Sequence, residues 1–315
     1  MTSSATALIG ERRWRPAAPV DVALTLSPHR HGGGDPTWQR TADGAVWRTS
    51  LTPDGPGTLR VGTRSGEVLG QAWGPGAHWL LEMLPSMLGA DDDFPGFIEL
   101  LGSLSGSASA AFVGDLAARN PGLRIGRTRR VMEALVPAVL EQKVVGREAW
   151  RAWRWLLHKY GSPAPGPAPD GMVVMPPPDV WRKIPSWDWH RAGAEAVRAR
   201  TIINAARHAD KLESAVESGE ADRLLRALPG IGVWTSAEVR QRSHGDPDAP
   251  SVGDFHLPGV VGWALSGRKT DDAGMLELLE PFRGHRHRVV RLIELSGIRP
   301  PARGPRMPAR DYRSF

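Results

Sequence analysis

The chain has 315 residues, of which 41% are hydrophobic and 23% charged, with a formal net charge of +6. This length allows two domains with hydrophobic cores, and the composition is typical of a soluble globular protein. The sequence has no apolar run near the roughly 18–20 residues that span a bilayer, and its first ten residues lack the basic flank of a signal peptide. We therefore expect a cytoplasmic protein with no membrane partner.

The numbers of cysteine, lysine and arginine residues limit the possible classes of function. Cysteine is absent, which excludes disulfides, thiolate zinc sites and thiol nucleophiles. Of the 40 basic residues only five are lysines, so 40 − 5 = 35 are arginines. The planar arginine side chain binds phosphate with two N–H donors, so the excess favours contact with nucleic acid. A genomic preference for arginine codons is the alternative explanation.

Residues 1–95 are predicted to form a small mixed α/β domain. The segments with the residue pattern of strands are 45–51, 57–63 and 67–73, with a weaker alternation over 22–26. Residues 76–88 carry apolar side chains at helical spacing. The segment 29–37, rich in histidine and glycine, could bind phosphate or a substrate. Because it lacks the pattern of a phosphate-binding loop, it is interpreted as a surface loop that could lie near a substrate pocket.

Residues 96–299 are predicted to form a mainly helical domain, so the expected fold class is α+β. Helical spacing is strongest over 131–160, and the proline-rich segment 161–169 is interpreted as a stiff connector. The tryptophans that follow are expected to lie in the core, with a role as stacking platforms as the alternative: Trp181, Trp187 and Trp189. Residues 300–315 carry four arginines and are predicted to be an extended basic tail.

The sequence Leu-Pro-Gly-Ile-Gly-Val-Trp-Thr at 228–235 is predicted to join two helices in a hairpin over 224–242. Gly230 and Gly232 allow positive φ and a close approach that a Cβ would block. Ile231 between them can pack the two helices together. The second helix begins with free amide N–H groups, which can bind a phosphate oxygen. A plain turn between helices is the alternative for these residues alone.

Residues 228–235, the loop 244–250 and the pair Gly253 and Asp254 together resemble the helix-hairpin-helix DNA glycosylase superfamily. Within it they are most similar to the 3-methyladenine DNA glycosylase II branch, and the resemblance covers most of 91–299. It implies that the hairpin holds DNA beside a damaged base. The implied DNA contacts are Gly230, Ile231, Gly232, Val233, Thr235, Gln142 and Lys143. The lack of cysteine implies a branch without the iron–sulfur cluster that some members carry.

Asp254 has the position of the aspartate that carries the chemistry in this family. Gly253 permits close approach, and a helix predicted over 255–265 would make Asp254 its N-cap. A carboxylate beside C1′ stabilises the sugar cation that forms as the bond to an extruded base breaks. An ordinary helix cap is the alternative. Asp246 and Asp248 are assigned to turns.

Several positions depart from the family pattern. Lys143 falls where relatives have a leucine that enters the gap left by the flipped nucleotide, so Gln142 or a neighbour could fill it instead. Glu238 falls where relatives can have an aromatic residue, and His285 where they have a tryptophan that stacks on the base. With Trp234, these two residues are the predicted substrate pocket. Trp234 also replaces the lysine of members that cut the strand, which implies a glycosylase without lyase activity.

The resemblance therefore implies a monofunctional DNA glycosylase of base excision repair, which releases alkylated purines such as 3-methyladenine and leaves an abasic site. Its partner would be double-stranded DNA with a damaged base, and the protein is expected to be a monomer. The family also implies a monovalent cation on the hairpin backbone, with no other cofactor or metal. The alternatives are a non-catalytic helix-hairpin-helix DNA-binding protein and a glycosylase for hypoxanthine or an oxidised purine.

Overall fold

A computed structural model describes residues 8–301. The basic tail predicted over 300–315 lies outside the described residues apart from its first two positions. Within 8–301, no helix combines the length and the apolar character that a membrane crossing requires.

A five-stranded antiparallel sheet forms the N-terminal part, in the order β1-β5-β4-β3-β2. The strands are β1 Gly10–Trp14, β2 Trp38–Arg40, β3 Val46–Thr52, β4 Gly55–Arg64 and β5 Glu67–Trp73. Helix α2 (Ala77–Met87) packs on one face of the sheet. A Cβ at Gly70 would lie 2.6 Å from Leu84, so glycine lets the helix approach β5 closely. The strands predicted at 45–51, 57–63 and 67–73 and the helix predicted at 76–88 are all present.

The strand predicted at 22–26 is wrong, because Val22–Leu26 forms helix α1. The Asp21 carboxylate accepts a hydrogen bond from the Leu24 N–H at 2.9 Å and so caps the helix. Val22 and Leu26 are four residues apart and both are buried against the sheet. The buried positions therefore have the four-residue spacing of a helix. Over only five residues, this spacing cannot be distinguished from the alternation of a strand. A 3₁₀ turn, Ser27–His29, continues from α1.

The remaining elements are mostly helices. They are α3 Phe94–Ser103, α4 Ala108–Arg119, α5 Val131–Leu140, α6 Gly146–Tyr160, β6 Ser162–Pro163, β7 Val173–Val174, α7 Pro178–Lys183, α8 Ser186–Ala192, α9 Ala196–Arg207, α10 Ala209–Ser214, α11 Ala221–Arg226, α12 Val233–Val239, α13 Leu257–Ser266, α14 Asp272–Leu279 and α15 Arg286–Leu295. A π-helical turn, Arg240–His244, extends α12. The α+β class is confirmed. Since α3 begins at Phe94, the predicted division after residue 95 falls in its first turn.

The helical part has two hydrophobic cores. One joins α5, α6, α9 and the hairpin and includes Trp181 and Ile231, and the other joins α3, α4 and α13 to α15. Trp181 and Trp189 lie in the first core as predicted, at 0% and 2% exposure, whereas the prediction for Trp187 is wrong because it is 64% exposed. Trp187 and Trp189 are two residues apart on α8, so they point to different faces of that helix.

Candidate active site

The hairpin requires glycine at position 230 but not at position 232. Gly230 has φ +89°, and a Cβ there would lie 2.2 Å from Thr201 Oγ1 on α9. Both the backbone conformation and the close approach therefore require glycine. Ile231 is buried and belongs to the same core as Leu228, so it joins the two helices as its position suggests.

Gly232 differs from the prediction. Its φ of −97° and ψ of −173° are extended backbone, which any residue adopts, and a Cβ there would meet nothing within 4 Å. The site before α12 is therefore open space rather than a crowded turn. Val233 is exposed, and the first N–H groups of a helix point along its axis without intrahelical acceptors. A phosphate oxygen could reach these groups.

Gln142 is bound to the hairpin. Its Nε2 donates to the Gly230 carbonyl at 2.9 Å and to Thr235 Oγ1 at 2.8 Å. Thr235 is 2% exposed and its hydroxyl is bound to Gln142, so its side chain does not face a ligand. The next residue, Lys143, is exposed and has φ +54°, an uncommon conformation for a non-glycine residue. Of the two predicted residues, Lys143 is therefore the one that projects from the loop between α5 and α6.

Asp254 is held by N–H donors from two directions. Its Oδ1 accepts hydrogen bonds from the backbone of His256 at 2.8 Å and of Leu257 at 2.9 Å. Its Oδ2 accepts one from Trp234 Nε1 at 3.3 Å. The helix predicted from residue 255 begins instead at Leu257, with His256 as its N-cap. The Asp254 carboxyl still accepts hydrogen bonds at the start of α13, because its side chain extends past Phe255 to the backbone of His256 and Leu257.

Asp254 lines a cavity of about 1590 Å³ between the two cores. Two of the predicted pocket residues, Trp234 and Glu238, line the same cavity. His285 lies elsewhere: it is buried with its ring 5.3 Å from that of Phe97, so its assignment to the pocket is wrong. Because α15 begins at Arg286, His285 turns into the helical core, and His287 on the first turn reaches the cavity instead.

The cavity also contains an ion pair. Glu238 Oε2 accepts a hydrogen bond from Arg242 Nη1 at 2.8 Å, and Glu238 Oε1 accepts one from Ser251 Oγ at 2.5 Å. Arg242 Nε donates to the Pro28 carbonyl at 2.9 Å. Burial lowers the pKa of Arg242, but Glu238 and Glu141 outweigh this effect and raise it. The helical part and the segment after α1 are thus joined at the cavity wall.

Two histidines lie on the cavity wall near the ion pair of Glu238 and Arg242. His29 and His287 both line the cavity. Burial, with Arg48 and Arg242 for His29 and with Arg291 and Arg242 for His287, lowers the pKa of both well below the ordinary value. Both rings are therefore uncharged at neutral pH. His287 is 6% exposed, and its buried Nδ1 has no hydrogen-bond partner within residues 8–301.

The segment 29–37, predicted to lie near a pocket, contributes His29 to the cavity wall. Sequence reasoning missed several other polar residues of this wall, among them Glu141, Arg242 and His287. No local pattern marks them, because they come from separate segments that only the packed fold brings together. The one available signal is the spacing of Arg242 from Glu238, which is that of a helical ion pair.

Comparison with known proteins supports the fold. No family model matches the chain. Over 142 residues the chain is 36% identical to the probable bifunctional transcriptional activator/DNA repair enzyme AlkA of Mycobacterium tuberculosis. This match covers 44% of the chain and 28% of that relative, so the chain matches less than a third of the relative's length.

Solved structures are similar over much more of the chain. A 3-methyladenine DNA glycosylase from Archaeoglobus fulgidus has a TM-score of 0.74 at 17% identity, covering 91% of this chain and 98% of that one. The Clostridium acetobutylicum 8-oxoguanine glycosylase/lyase, in complex with double-stranded DNA, has a TM-score of 0.67 at 13% identity and covers 93% and 99%. Schizosaccharomyces pombe 3-methyladenine DNA glycosylase Mag1, in complex with abasic DNA, has a TM-score of 0.51 at 16% identity and covers 64% and 96%.

These three solved structures are DNA glycosylases. The chain has the fold of the helix-hairpin-helix DNA glycosylases, and the predicted resemblance is confirmed at that level.

Proposed function

We propose that the protein is a DNA glycosylase that hydrolyses the bond between a damaged base and its deoxyribose. The observation that carries the proposal is a carboxylate, Asp254, held by three N–H donors on the wall of a large cavity and bonded to the second helix of the hairpin. Structural neighbours that are complexes with duplex or abasic DNA support double-stranded DNA as the partner.

In this proposal the hairpin binds the DNA backbone through the N–H groups of the first turn of α12. The damaged nucleotide leaves the stack, at a cost of a few kcal/mol, and its base enters the cavity. As the C1′–N bond breaks, its electron pair goes to the base, and the negative charge of Asp254 stabilises the sugar cation. A water molecule then adds to C1′ and gives up a proton, with Asp254 orienting it or accepting that proton. The product is an abasic site.

We propose alkylated purines such as 3-methyladenine as the substrates. Alkylation leaves the base positively charged, so it departs as a neutral molecule and needs no general acid. A site with one carboxylate beside the sugar is sufficient for this reaction. The Glu238–Arg242 ion pair on the cavity wall and the 8-oxoguanine glycosylase/lyase among the structural neighbours favour an oxidised purine as the second candidate.

We further propose that the protein has no lyase activity. Trp234 is the second residue of the second hairpin helix and carries no amine that could attack C1′. Among the described residues on the cavity wall, the one lysine is Lys269. Treatment with borohydride should therefore trap no covalent complex with DNA. A trapped complex that disappears in Lys269→Ala would contradict this assignment and identify the amine.

A monovalent cation on the hairpin backbone is a separate proposal. The carbonyls of Leu228 and Gly230 accept hydrogen bonds from Ile231 N–H and Gln142 Nε2, and each carbonyl oxygen has a second lone pair. These oxygens therefore fit a cation as a further partner. Replacing potassium with choline at constant ionic strength should weaken binding to abasic DNA several-fold.

The test of the main proposal compares the wild type with Asp254→Asn on duplexes that each contain one damaged base. Asparagine keeps the oxygen that caps α13 but removes the charge, so release of free base should fall by roughly 100-fold or more, while affinity for abasic DNA is retained. The exposed Asp179→Asn on α7 is the matched control. Unchanged base release in Asp254→Asn would contradict the catalytic role. Binding without base release by the wild type on every duplex would favour a non-catalytic DNA-binding protein.

A further inference from the structure

The side chains along α12 form a row on the cavity wall. Trp234, Glu238 and Arg242 follow one another at four-residue intervals, and all three line the cavity. Four residues correspond to about 6 Å along a helix, a length comparable to that of a purine. Because Trp234 is bonded to Asp254, the cavity has an Asp254 end (Trp234 and Asp254) and a Glu238 end (Glu238, Arg242, His29 and His287).

The Glu238 end has hydrogen-bonding capacity that the protein does not use. No residue within 8–301 accepts a hydrogen bond from Arg242 Nη2, whereas Nε and Nη1 are engaged. Each oxygen of Glu238 accepts one hydrogen bond from a side chain and has a further lone pair. The exposed fractions of the Arg242 and Glu238 side chains are only 17% and 13%. A donor and an acceptor therefore stand side by side in a largely desolvated site, where hydrogen bonds to charged groups are strong.

A purine in this cavity would turn one particular edge to these groups. The Watson–Crick edge lies opposite the glycosidic bond, and flipped bases are recognised through that edge. With the sugar beside Asp254, the edge reaches the Glu238 end. Guanine presents there a carbonyl, O6, next to a ring N–H donor, N1. Arg242 can donate to the carbonyl while Glu238 accepts from N1–H.

The position of the alkyl group decides whether this pairing is favourable. Alkylation at N7 of guanine puts the positive charge mainly in the five-membered ring, away from Arg242, and makes N1–H a stronger donor to Glu238. Alkylation at N3 of adenine spreads the charge over the six-membered ring, including the edge that would face Arg242. Arginine stays protonated, so this second arrangement brings a second positive charge against Arg242 and into competition for Glu238, which already pairs with that arginine.

We propose that Glu238 and Arg242 are specificity-determining residues, which select an N7-alkylated guanine over 3-methyladenine. The inference rests on the proposed glycosylase function and names its substrate class more narrowly. His29 and His287, both uncharged, border the same end and add no positive charge beside the base.

The experiment measures single-turnover release of free base from two duplexes, one with N7-methylguanine and one with 3-methyladenine, after subtraction of spontaneous loss. The wild type should release N7-methylguanine at least ten times faster. Glu238→Gln should slow release of N7-methylguanine at least tenfold and that of 3-methyladenine less than threefold. Asp179→Asn, which removes a carboxylate from an exposed ion pair of the same spacing, should change neither rate.

The possible failures are distinguishable. Equal release of both bases by the wild type, or faster release of 3-methyladenine, would overturn the selection and leave the glycosylase function intact; this comparison needs no variant. A Glu238→Gln protein that binds abasic DNA normally but slows both reactions equally would show that Glu238 does not discriminate. Release of neither base, together with none from other damaged duplexes, would instead reject the proposed function.

Discussion

The two ends of the cavity are built in different ways. At the Asp254 end, the carboxylate and its indole partner are 20 positions apart in sequence, and the remaining donors are the next backbone N–H groups. At the Glu238 end, an ion pair on one helix meets residues from the segment after α1 and from α15. A single oriented charge needs only a short loop and a helix. A site that recognises a base by hydrogen bonds needs several buried polar groups. These groups come together here from segments that are distant in the sequence.

The ends also differ in how they tolerate change. Asp254 is half-buried, so water can compensate in part for a lost partner. Glu238 and Arg242 are largely buried, and removing one member of a buried ion pair typically costs 3–5 kcal/mol because the other charge is left unpaired. Changes at the Asp254 end should therefore affect rates more than folding, and changes at the Glu238 end should affect both.

A large loss of stability is also expected at the hairpin, which supports the Asp254 end. Gly230→Ala would put a Cβ on a residue with φ +89° and against Thr201. We expect the free energy of unfolding in urea to fall by about 2–3 kcal/mol. Gly232→Ala, in open space with extended backbone, is the matched control. It should leave stability nearly unchanged but weaken DNA binding, because its methyl group would lie where a phosphate approaches. Equal loss of stability in both variants would contradict this account.

The Asp254 end was largely predictable from sequence, and the Glu238 end was not. Gly230, Ile231 and Asp254 follow from local rules for turns and helices, which act over a few residues. His285 was misassigned because it lies just before α15 with its ring against Phe97 in the helical core, a contact that no local sequence pattern shows. The segment of His29 was placed near a pocket, but Arg242 was missed because its contact with that segment depends on packing between parts of the chain more than 200 positions apart, as the hydrogen bond from Arg242 to the Pro28 carbonyl illustrates.

The histidines of the Glu238 end predict a dependence of stability on pH. Burial and nearby arginines lower the pKa of His287 in the folded protein well below 6.5, whereas the unfolded chain titrates near that value. Below about pH 6.5 the unfolded state therefore binds a proton that the folded state does not, and stability falls as the pH is lowered. His29 acts in the same direction.

The measurement is the free energy of unfolding between pH 7 and pH 5. His287→Asn should reduce the slope by up to about 1.4 kcal/mol per pH unit, the contribution of one proton. The exposed His190→Asn serves as the control and should leave the slope unchanged. An unaltered slope in His287→Asn would mean that this ring is not kept uncharged by its surroundings.

Gln142 connects the α5–α6 loop to the hairpin, and its loss should lower both stability and DNA binding. Gln142→Ala removes two hydrogen bonds and should lower stability by about 1–2 kcal/mol. It should also weaken binding to abasic DNA several-fold, because Lys143 would no longer be held beside the hairpin. Gln71→Ala removes two side-chain contacts of the same kind from the sheet and is the control. A Gln71→Ala variant that binds DNA as weakly would indicate a general loss of folding.

The smallest expected effect tests the indole that orients Asp254. Trp234→Phe keeps an aromatic wall but removes the 3.3 Å bond to Oδ2, while two backbone donors still hold Oδ1. Base release should therefore slow only about three- to tenfold, as expected for one hydrogen bond of about 1 kcal/mol. Trp153→Phe removes a similar indole–carboxylate bond, 3.2 Å to Asp35, away from Asp254. It should lower stability without a comparable loss of rate. If the two variants slow base release equally, the Trp234 contact contributes packing alone, and the backbone donors suffice to orient the carboxylate.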